Sequence, residues 1–147
     1  LLLLLVSVIG ISSYFLFKDK INLLDVDHSA VDWNGKKQKD TSGEENTIAI
    51  PGFEKVTLYA NETKQAVNFH NPEINDCYFK ISLIHPDGSV LWISDLIEPG
   101  KGMYSIELEK TLAVGEYENA VLKYECFSLN DQSPLNGSEI NLKLVVV

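Results

Sequence analysis

Residues 111–126 read TLAVGEYENAVLKYEC and lead from a turn into a strand. Leu112, Gly115 and Tyr117 open the stretch, and apolar and polar residues then alternate as far as Cys126. Alternation of this kind is typical of a β-strand that has one buried face. The stretch therefore predicts a strand that begins at a glycine-containing corner and carries Cys126 on its apolar side.

The same alternation of apolar and polar residues recurs throughout residues 47–147. Short alternating runs are separated by turn residues at intervals of roughly ten positions, the spacing expected of a sandwich or barrel. The predicted runs contain, in order, Val56, Val67, Cys77, Val90, Tyr104, Tyr117 and Ile140. The Asn136-Gly137-Ser138 stretch is interpreted as a turn. No stretch after residue 46 has a helical period, so the sequence predicts an all-β fold of seven strands.

The corner at the start of the quoted stretch makes this fold prediction more specific. In immunoglobulin-like sandwiches a Tyr at the start of the sixth strand, F, bonds back to the preceding corner. Leu112 would fill the core, Gly115 would turn the chain, and the Tyr117 hydroxyl would fix the turn. We therefore expect a seven-stranded, Ig-like antiparallel β-sandwich.

The only two cysteines fall on strands that this fold makes neighbours. The run from Cys77 corresponds to strand C, which pairs with strand F in an antiparallel sense, so Cys77 and Cys126 should lie close together. One interpretation is a disulfide closing a loop of about fifty residues, worth on the order of 4 kcal/mol. The other is a pair of buried free thiols, since unpaired cysteine is common in protein cores.

Residues 47–147 resemble small Ig-like or fibronectin-III-like surface domains of Gram-positive bacteria. The stretch SDLIEPGKGMYSIELEKTLAVGEYENAVLKYECFSL carries most of the similarity. Such domains stand behind a single N-terminal membrane anchor. The resemblance implies a sandwich fold and a place at the cell surface, and it assigns no catalytic residues.

The first seventeen residues, LLLLLVSVIGISSYFLF, contain no charge. As a helix they would extend roughly 26 Å, close to the ~30 Å hydrocarbon thickness of a bilayer. No Ala-x-Ala cleavage site follows, which favours an uncleaved signal-anchor. The sequence thus predicts a transmembrane helix over 1–17, a polar juxtamembrane linker over 18–46 in which Trp33 could dock locally, and an extracytoplasmic domain over 47–147.

The composition limits the partners of this domain. The net charge is −9, and all twelve basic residues are lysine. Arginine supplies the bidentate contacts used on phosphates and guanine edges, so we expect no nucleic-acid partner. Anionic lipid headgroups would also repel the chain, and attachment to a bilayer has to be apolar. The sequence predicts a single-pass protein of the cell membrane.

The three histidines, His28, His70 and His85, give no sign of a reaction centre. His28 lies in the linker, whereas His70 and His85 end successive antiparallel strands and therefore fall at opposite ends of the sandwich. No nucleophile elbow and no phosphate-binding glycine loop is present in the sequence. We expect neither a metal nor a cofactor, and we expect no enzymatic activity.

The outer face of the C–F sheet is the one surface predicted to bind a partner. Its apolar candidates are Tyr78, Ile84, Val121 and Phe127, with Trp92 on the following strand. An ordinary scatter of apolar residues, or cover from the linker, would also account for them. The predicted function is a non-enzymatic binding or assembly module of the cell surface, with a cell-envelope protein as partner. The alternative is a small-ligand-binding or hydrolytic module that uses a cleft near loops 71–76 and 130–137.

Overall fold

The computed structural model describes residues 23–35 and 48–147. The predicted transmembrane helix, 1–17, lies outside these residues. Eight strands occur within them: β1 Val31–Asp32, β2 Lys55–Leu58, β3 Lys64–His70, β4 Cys77–Ile84, β5 Val90–Ile93, β6 Lys101–Glu107, β7 Gly115–Ser128 and β8 Pro134–Val146. No helix occurs in the described part of the chain, which confirms the all-β prediction there.

The strands form two sheets. Strands β2-β8-β7-β4-β5 make a five-stranded sheet, and β1-β6-β3 make a three-stranded sheet. All neighbours pair in the antiparallel sense except β2 and β8, which are parallel, with Lys55 opposite Lys143 and Leu58 opposite Val146. This pair corrects the fully antiparallel expectation. Alternation in a sequence reports which face a side chain occupies, but it carries no information about strand direction.

The core lies between the sheets and follows from the alternation of the long strands. Along β4, and along β7 from Ala120 to Cys126, every second residue points inward and is fully buried. The Phe79 ring meets the Tyr124 ring edge-on at a centroid distance of 5.3 Å, a favoured aromatic arrangement. Phe69, from the three-stranded sheet, contacts Phe53 in the same manner at 5.4 Å. Burial of these faces is the main force that joins the two sheets.

The sandwich has two ends that carry different elements. One end, which we call the strap end, contains loops 71–76, 94–100 and 129–133. At the corner end lie turns 59–63, 85–89 and 108–114, together with the backbone of Val147, which bonds to Leu58 and Ala60.

Residues 23–35, within the predicted linker, pack along the sandwich; we call them the strap. Leu24 exchanges two hydrogen bonds with the Gln132 side chain, of 2.6 and 3.0 Å. Val26 forms a parallel bridge with Leu96. Strand β1 then pairs with the edge of β6. The strap thus pairs with Leu96, which follows β5 of the five-stranded sheet, and with β6 of the three-stranded sheet. This pairing covers edge backbone that would otherwise be unpaired.

Trp33 fixes the end of the strap on the outer face of the three-stranded sheet. Its ring stacks on His70 with centroids 3.7 Å apart and planes inclined by 7°. Its indole N–H donates to the Asn68 side-chain oxygen over 2.6 Å. Gly102 makes room for this ring, because an added Cβ would lie 2.8 Å from Trp33. The local docking of Trp33, left open by the sequence, is therefore present.

A buried amide pair organises loop 71–76. The Asn71 amide donates to the carbonyls of Cys77 and Ile97, over 2.8 and 2.9 Å. The Asn75 side chain exchanges hydrogen bonds with the backbone of Ala49 and also donates to the Asn71 side-chain oxygen. Buried amides are costly unless bonded in this way. The loop is rigid as a result, and both amides are occupied by the protein itself.

Candidate functional site

The candidate surface is the outer face of the five-stranded sheet, and strand register brings four of the predicted residues together in pairs. Tyr78 stands opposite Phe127, and Ile84 stands opposite Val121. All four side chains are half-buried. The two pairs lie at opposite ends of β4. The predicted surface is therefore two apolar patches on one sheet face.

Trp92 does not belong to this surface, which corrects its predicted role. Its side chain is only 7% exposed and contacts the Phe69 ring at 5.8 Å in the core. Register explains the difference, because Trp92 pairs with Leu83, whose side chain faces inward and is fully buried. The exposed apolar residues of β5 are instead Val90 and Ile93, at 45% and 46%.

Charged residues separate the two apolar patches. Lys80 stands opposite Glu125, and Lys123 stands opposite Glu139. The Lys123 ammonium also lies 3.6 Å from the Glu125 carboxylate. Opposite charges paired across strands stabilise a sheet modestly, by roughly 0.2–1 kcal/mol each. The middle of the face is thus polar and internally neutralised.

A shallow groove lies on this face beside the β7–β8 loop. It encloses about 470 Å³ and is open to solvent. Phe127, Pro134 and Leu135 give it an apolar side, and Lys123 and Glu139 contribute charge. The groove adjoins one of the loops named for the alternative cleft function. Its open shape suits a side chain of a partner better than an enclosed small molecule, which binding sites usually bury by 70–90%.

The groove owes its form to an irregularity between β7 and β8. The register of the two strands shifts between Tyr124 and Cys126. Gly137 passes so close to β7 here that an added Cβ would lie 2.3 Å from the Tyr124 carbonyl oxygen. Only glycine allows this approach. The sequence interpretation of residues 136–138 as a turn is wrong, because they belong to β8.

The two cysteines share the inner face but form no disulfide. Both are buried free thiols, which corrects the disulfide prediction. Cys77 stands opposite Ser128 and Cys126 opposite Phe79, so the cysteines are diagonal neighbours. Diagonal residues on paired strands are about 7–8 Å apart, beyond the usual range for a bridge. A hydrogen bond with Cys77 and burial raise the pKa of the Cys126 thiol, so it stays protonated.

The predicted corner has the geometry expected of it. The Tyr117 hydroxyl donates to the Ala113 carbonyl over 2.8 Å. Leu112 is buried in the core cluster, and its carbonyl accepts from Asn61 over 3.1 Å. Gly115 begins β7, and the Tyr117 ring lies 3.7 Å from the position of its missing Cβ. The three residues join turn 59–63 to the start of β7, far from the groove.

The three histidines have separate surroundings. His70 lies under Trp33, and its Nδ1 is buried without a hydrogen-bond partner among the described residues. Burial lowers the pKa of His70, although a backbone hydrogen bond at Asn68 opposes this. His85 lies 2.9 Å from Asp87 at the corner end. Within the described part of the chain, no three His, Cys, Asp or Glu side chains converge on a metal position.

Two further findings bear on the surroundings of the domain. Among residues 23–35 and 48–147 no helix is long and apolar enough to cross a bilayer. Comparison with protein-family models, with curated proteins and with solved structures found no match for this chain.

Proposed function

We propose that this chain is a non-enzymatic module anchored in the cell membrane by residues 1–17, with an extracytoplasmic Ig-like domain that acts by binding or assembly. The apolar run at the N-terminus supports the anchor. The outward location of the domain rests on the resemblance to surface domains. A cell-envelope protein is the proposed partner, bound through the outer face of the five-stranded sheet.

The Ig-like assignment is supported by strand order and by the corner. Strands β8-β7-β4 correspond to G, F and C, with β5 as C′ and β2 as the strand that adds parallel to G. Strands β3 and β6 correspond to B and E. The Tyr117 hydroxyl bonded to Ala113 is the corner contact of this fold class. Strand β1 of the strap is then an addition to the seven.

The observation that carries the binding proposal is the groove with its apolar side. Phe127, Pro134 and Leu135 offer a place for an apolar anchor of a partner, surrounded by charges that are already paired within the sheet. Interfaces commonly place aromatic residues in the middle and charge at the rim. The alternative, a small-ligand or hydrolytic module, fits less well, because the groove is open and the amides of loop 71–76 are occupied by the backbone.

Photo-crosslinking in the source cells tests this proposal. A crosslinking amino acid replaces Phe127 in one variant, and Ser105, exposed on the other sheet, in the control. We expect one discrete adduct from position 127 and none of that mass from position 105. The adduct should disappear when Tyr78→Ser and Leu135→Ser are added. Equal crosslinking from both positions, or none from position 127, contradicts the proposal.

A further inference from the structure

Docking of the strap changes the length of chain between the domain and its proposed anchor. The predicted linker, 18–46, has twenty-nine residues and could hold a domain about 100 Å from the bilayer when extended. Because residues 23–35 lie on the sandwich, only residues 18–22 remain between the apolar run and the first docked residue. Five residues reach at most about 17 Å.

The docked chain also fixes which end of the domain is near the anchor. Leu24 is bonded to Gln132, in the loop that joins β7 to β8. Trp33 bonds through its backbone to Gly100, in the loop before β6. Both loops belong to the strap end, so the five-residue tether leaves the sandwich there. The corner end points away, since the fourteen-residue β7 alone extends about 45 Å.

The strap end exposes aliphatic side chains. Ile74, at the tip of loop 71–76, is 78% exposed, and Leu23, where the tether joins, is 61% exposed. Leu24 and Leu129 are also exposed at this end. Isolated exposed leucines are ordinary on protein surfaces. Here four exposed aliphatic side chains share one end of the domain, and a short membrane tether would hold that end close to the bilayer. A lipid surface is therefore the apolar environment closest to them.

The charges at this end select the kind of lipid surface. This end carries exposed carboxylates, namely Asp25, Glu73, Asp76, Asp95, Glu98 and Asp131. Lys101 is the one lysine of loops 71–76, 94–100 and 129–133 with their first flanking residues, and it is bonded to Asp32 over 3.1 Å. Anionic headgroups would repel these carboxylates. The end suits a zwitterionic surface, entered to headgroup depth by aliphatic side chains.

We infer that the strap end of the sandwich is seated on the membrane surface, with Ile74, Leu129 and the leucines of the strap in the headgroup region and the corner end directed outward. The inference rests on the proposed anchoring by residues 1–17. The occupant of the strap end is the bilayer itself, and the outer face of the five-stranded sheet stands upright on it. The groove at Phe127 and Pro134, which flank loop 129–133, is then close to the lipid surface and open to a partner from the side.

The test uses the full chain reconstituted in phosphatidylcholine vesicles. Variants Ile74→Cys and Val114→Cys each receive an environment-sensitive dye; Val114 is 71% exposed at the corner end and is the matched control. The native thiols are buried and stay unlabelled in the folded protein. We expect blue-shifted emission at position 74, quenched by nitroxide-bearing lipid, and aqueous emission at position 114. Anionic lipid should reduce the blue shift at position 74.

The outcomes separate the inference from the proposed function. If the chain fails to float with the vesicles, the anchoring is wrong and the seating fails with it. If the chain floats but both dyes report water, only the seating is overturned. Emission at position 74 that depends on the protein-to-lipid ratio would indicate a second copy as the covering, which also overturns it.

A second variant tests whether the short tether is what holds Ile74 at the membrane surface. Trp33→Ala combined with Gln132→Ala, on the Ile74→Cys background, removes the ring contact at one end of the strap and the side chain that bonds Leu24 at the other, and limited proteolysis reports release of the strap. Release lengthens the tether, so the dye at position 74 should shift towards aqueous emission. Unchanged emission in a chain whose strap is cleavable would overturn the inference.

Discussion

The two sheets of this protein are covered in different ways. The five-stranded sheet buries its inner face through the alternation of its own long strands, and its outer face balances charge within itself. The three-stranded sheet has no strand longer than seven residues and depends on the strap, whose Trp33 lies over His70 and Gly102. One sheet is thus specified by its own sequence, whereas the other is completed by a segment that precedes the predicted domain.

The largest effect is expected in the core of the five-stranded sheet. Phe79→Ala removes a fully buried ring that contacts Tyr124, and it should lower the free energy of unfolding by about 3–5 kcal/mol. Urea denaturation followed by tryptophan fluorescence measures this loss. Ile93→Ala, on the exposed face of β5, is the control and should change stability by less than about 0.5 kcal/mol. Similar losses from both would break the distinction between the two faces.

A smaller and more local effect is expected from the strap. Trp33→Ala removes the stacking on His70 and the bond to Asn68, and should cost about 2 kcal/mol. Hydrogen exchange should quicken in β1 and β6 before it does so in β7 and β8. Trp33→Phe keeps an aromatic ring and loses only the indole donor, so its effect should be smaller. Equal exchange in both sheets would contradict a local role for the strap.

The corner is expected to contribute less again. Tyr117→Phe removes the hydrogen bond to Ala113 and keeps the ring, which should cost about 1 kcal/mol in the free energy of unfolding. Tyr59→Phe is the matched control, because Tyr59 is more than half exposed in the neighbouring turn. A Tyr117 variant as stable as the Tyr59 variant would show that the corner bond is not stabilising.

The strap should also make stability depend mildly on pH. Burial lowers the pKa of His70 below its ordinary value of 6.5, so the unfolded chain binds the proton more readily. Stability is therefore fully present above about pH 6.5 and falls as the pH drops towards the lowered pKa of the folded state. Unfolding measured from pH 7.5 to 5 should show this loss, and His70→Gln should reduce the slope. An unchanged slope would assign the dependence to other groups.

Reductant is expected to have no effect at all. Cys77 and Cys126 are free thiols, so a reducing agent should leave the unfolding midpoint where it is. Mass spectrometry should find no alkylation of the folded protein and two alkylated cysteines after unfolding. A midpoint that drops in reductant would indicate a bridge.

Side-chain periodicity explains why the fold was predictable from the sequence. The alternation from Ala120 to Cys126 predicts a strand with a buried face, and the corner motif predicts where that strand begins. Both depend on residues close together in the chain. The four outer-face positions on β4 and β7 were predictable for the same reason, since the register of two long antiparallel strands follows from their alternation.

The features that the sequence did not predict correctly depend on contacts that a local sequence pattern does not report. Trp92 is on a four-residue strand, where alternation is too short to decide the face. Gly137 resembles a turn residue in the sequence, and only the closeness of the Tyr124 carbonyl, which leaves no space for a Cβ, explains why glycine stands within β8. The ring stacking of Trp33 on His70 joins residues far apart in the chain. Alternation shows that Cys77 and Cys126 both face inward. Only the exact pairing of β4 with β7 shows that they are diagonal neighbours and not directly opposite each other.

The parallel pairing of β2 with β8 has a mechanical consequence. Strand β2 lies beside the last residues of β8 and runs in the same direction, so a pull on the start of β2 and on the end of β8 moves these adjacent strands in opposite directions. Their hydrogen bonds are evenly spaced along the pair and lie across the direction of load, so the load is shared among them. A sandwich connected in this way transmits force along its length and resists being peeled open.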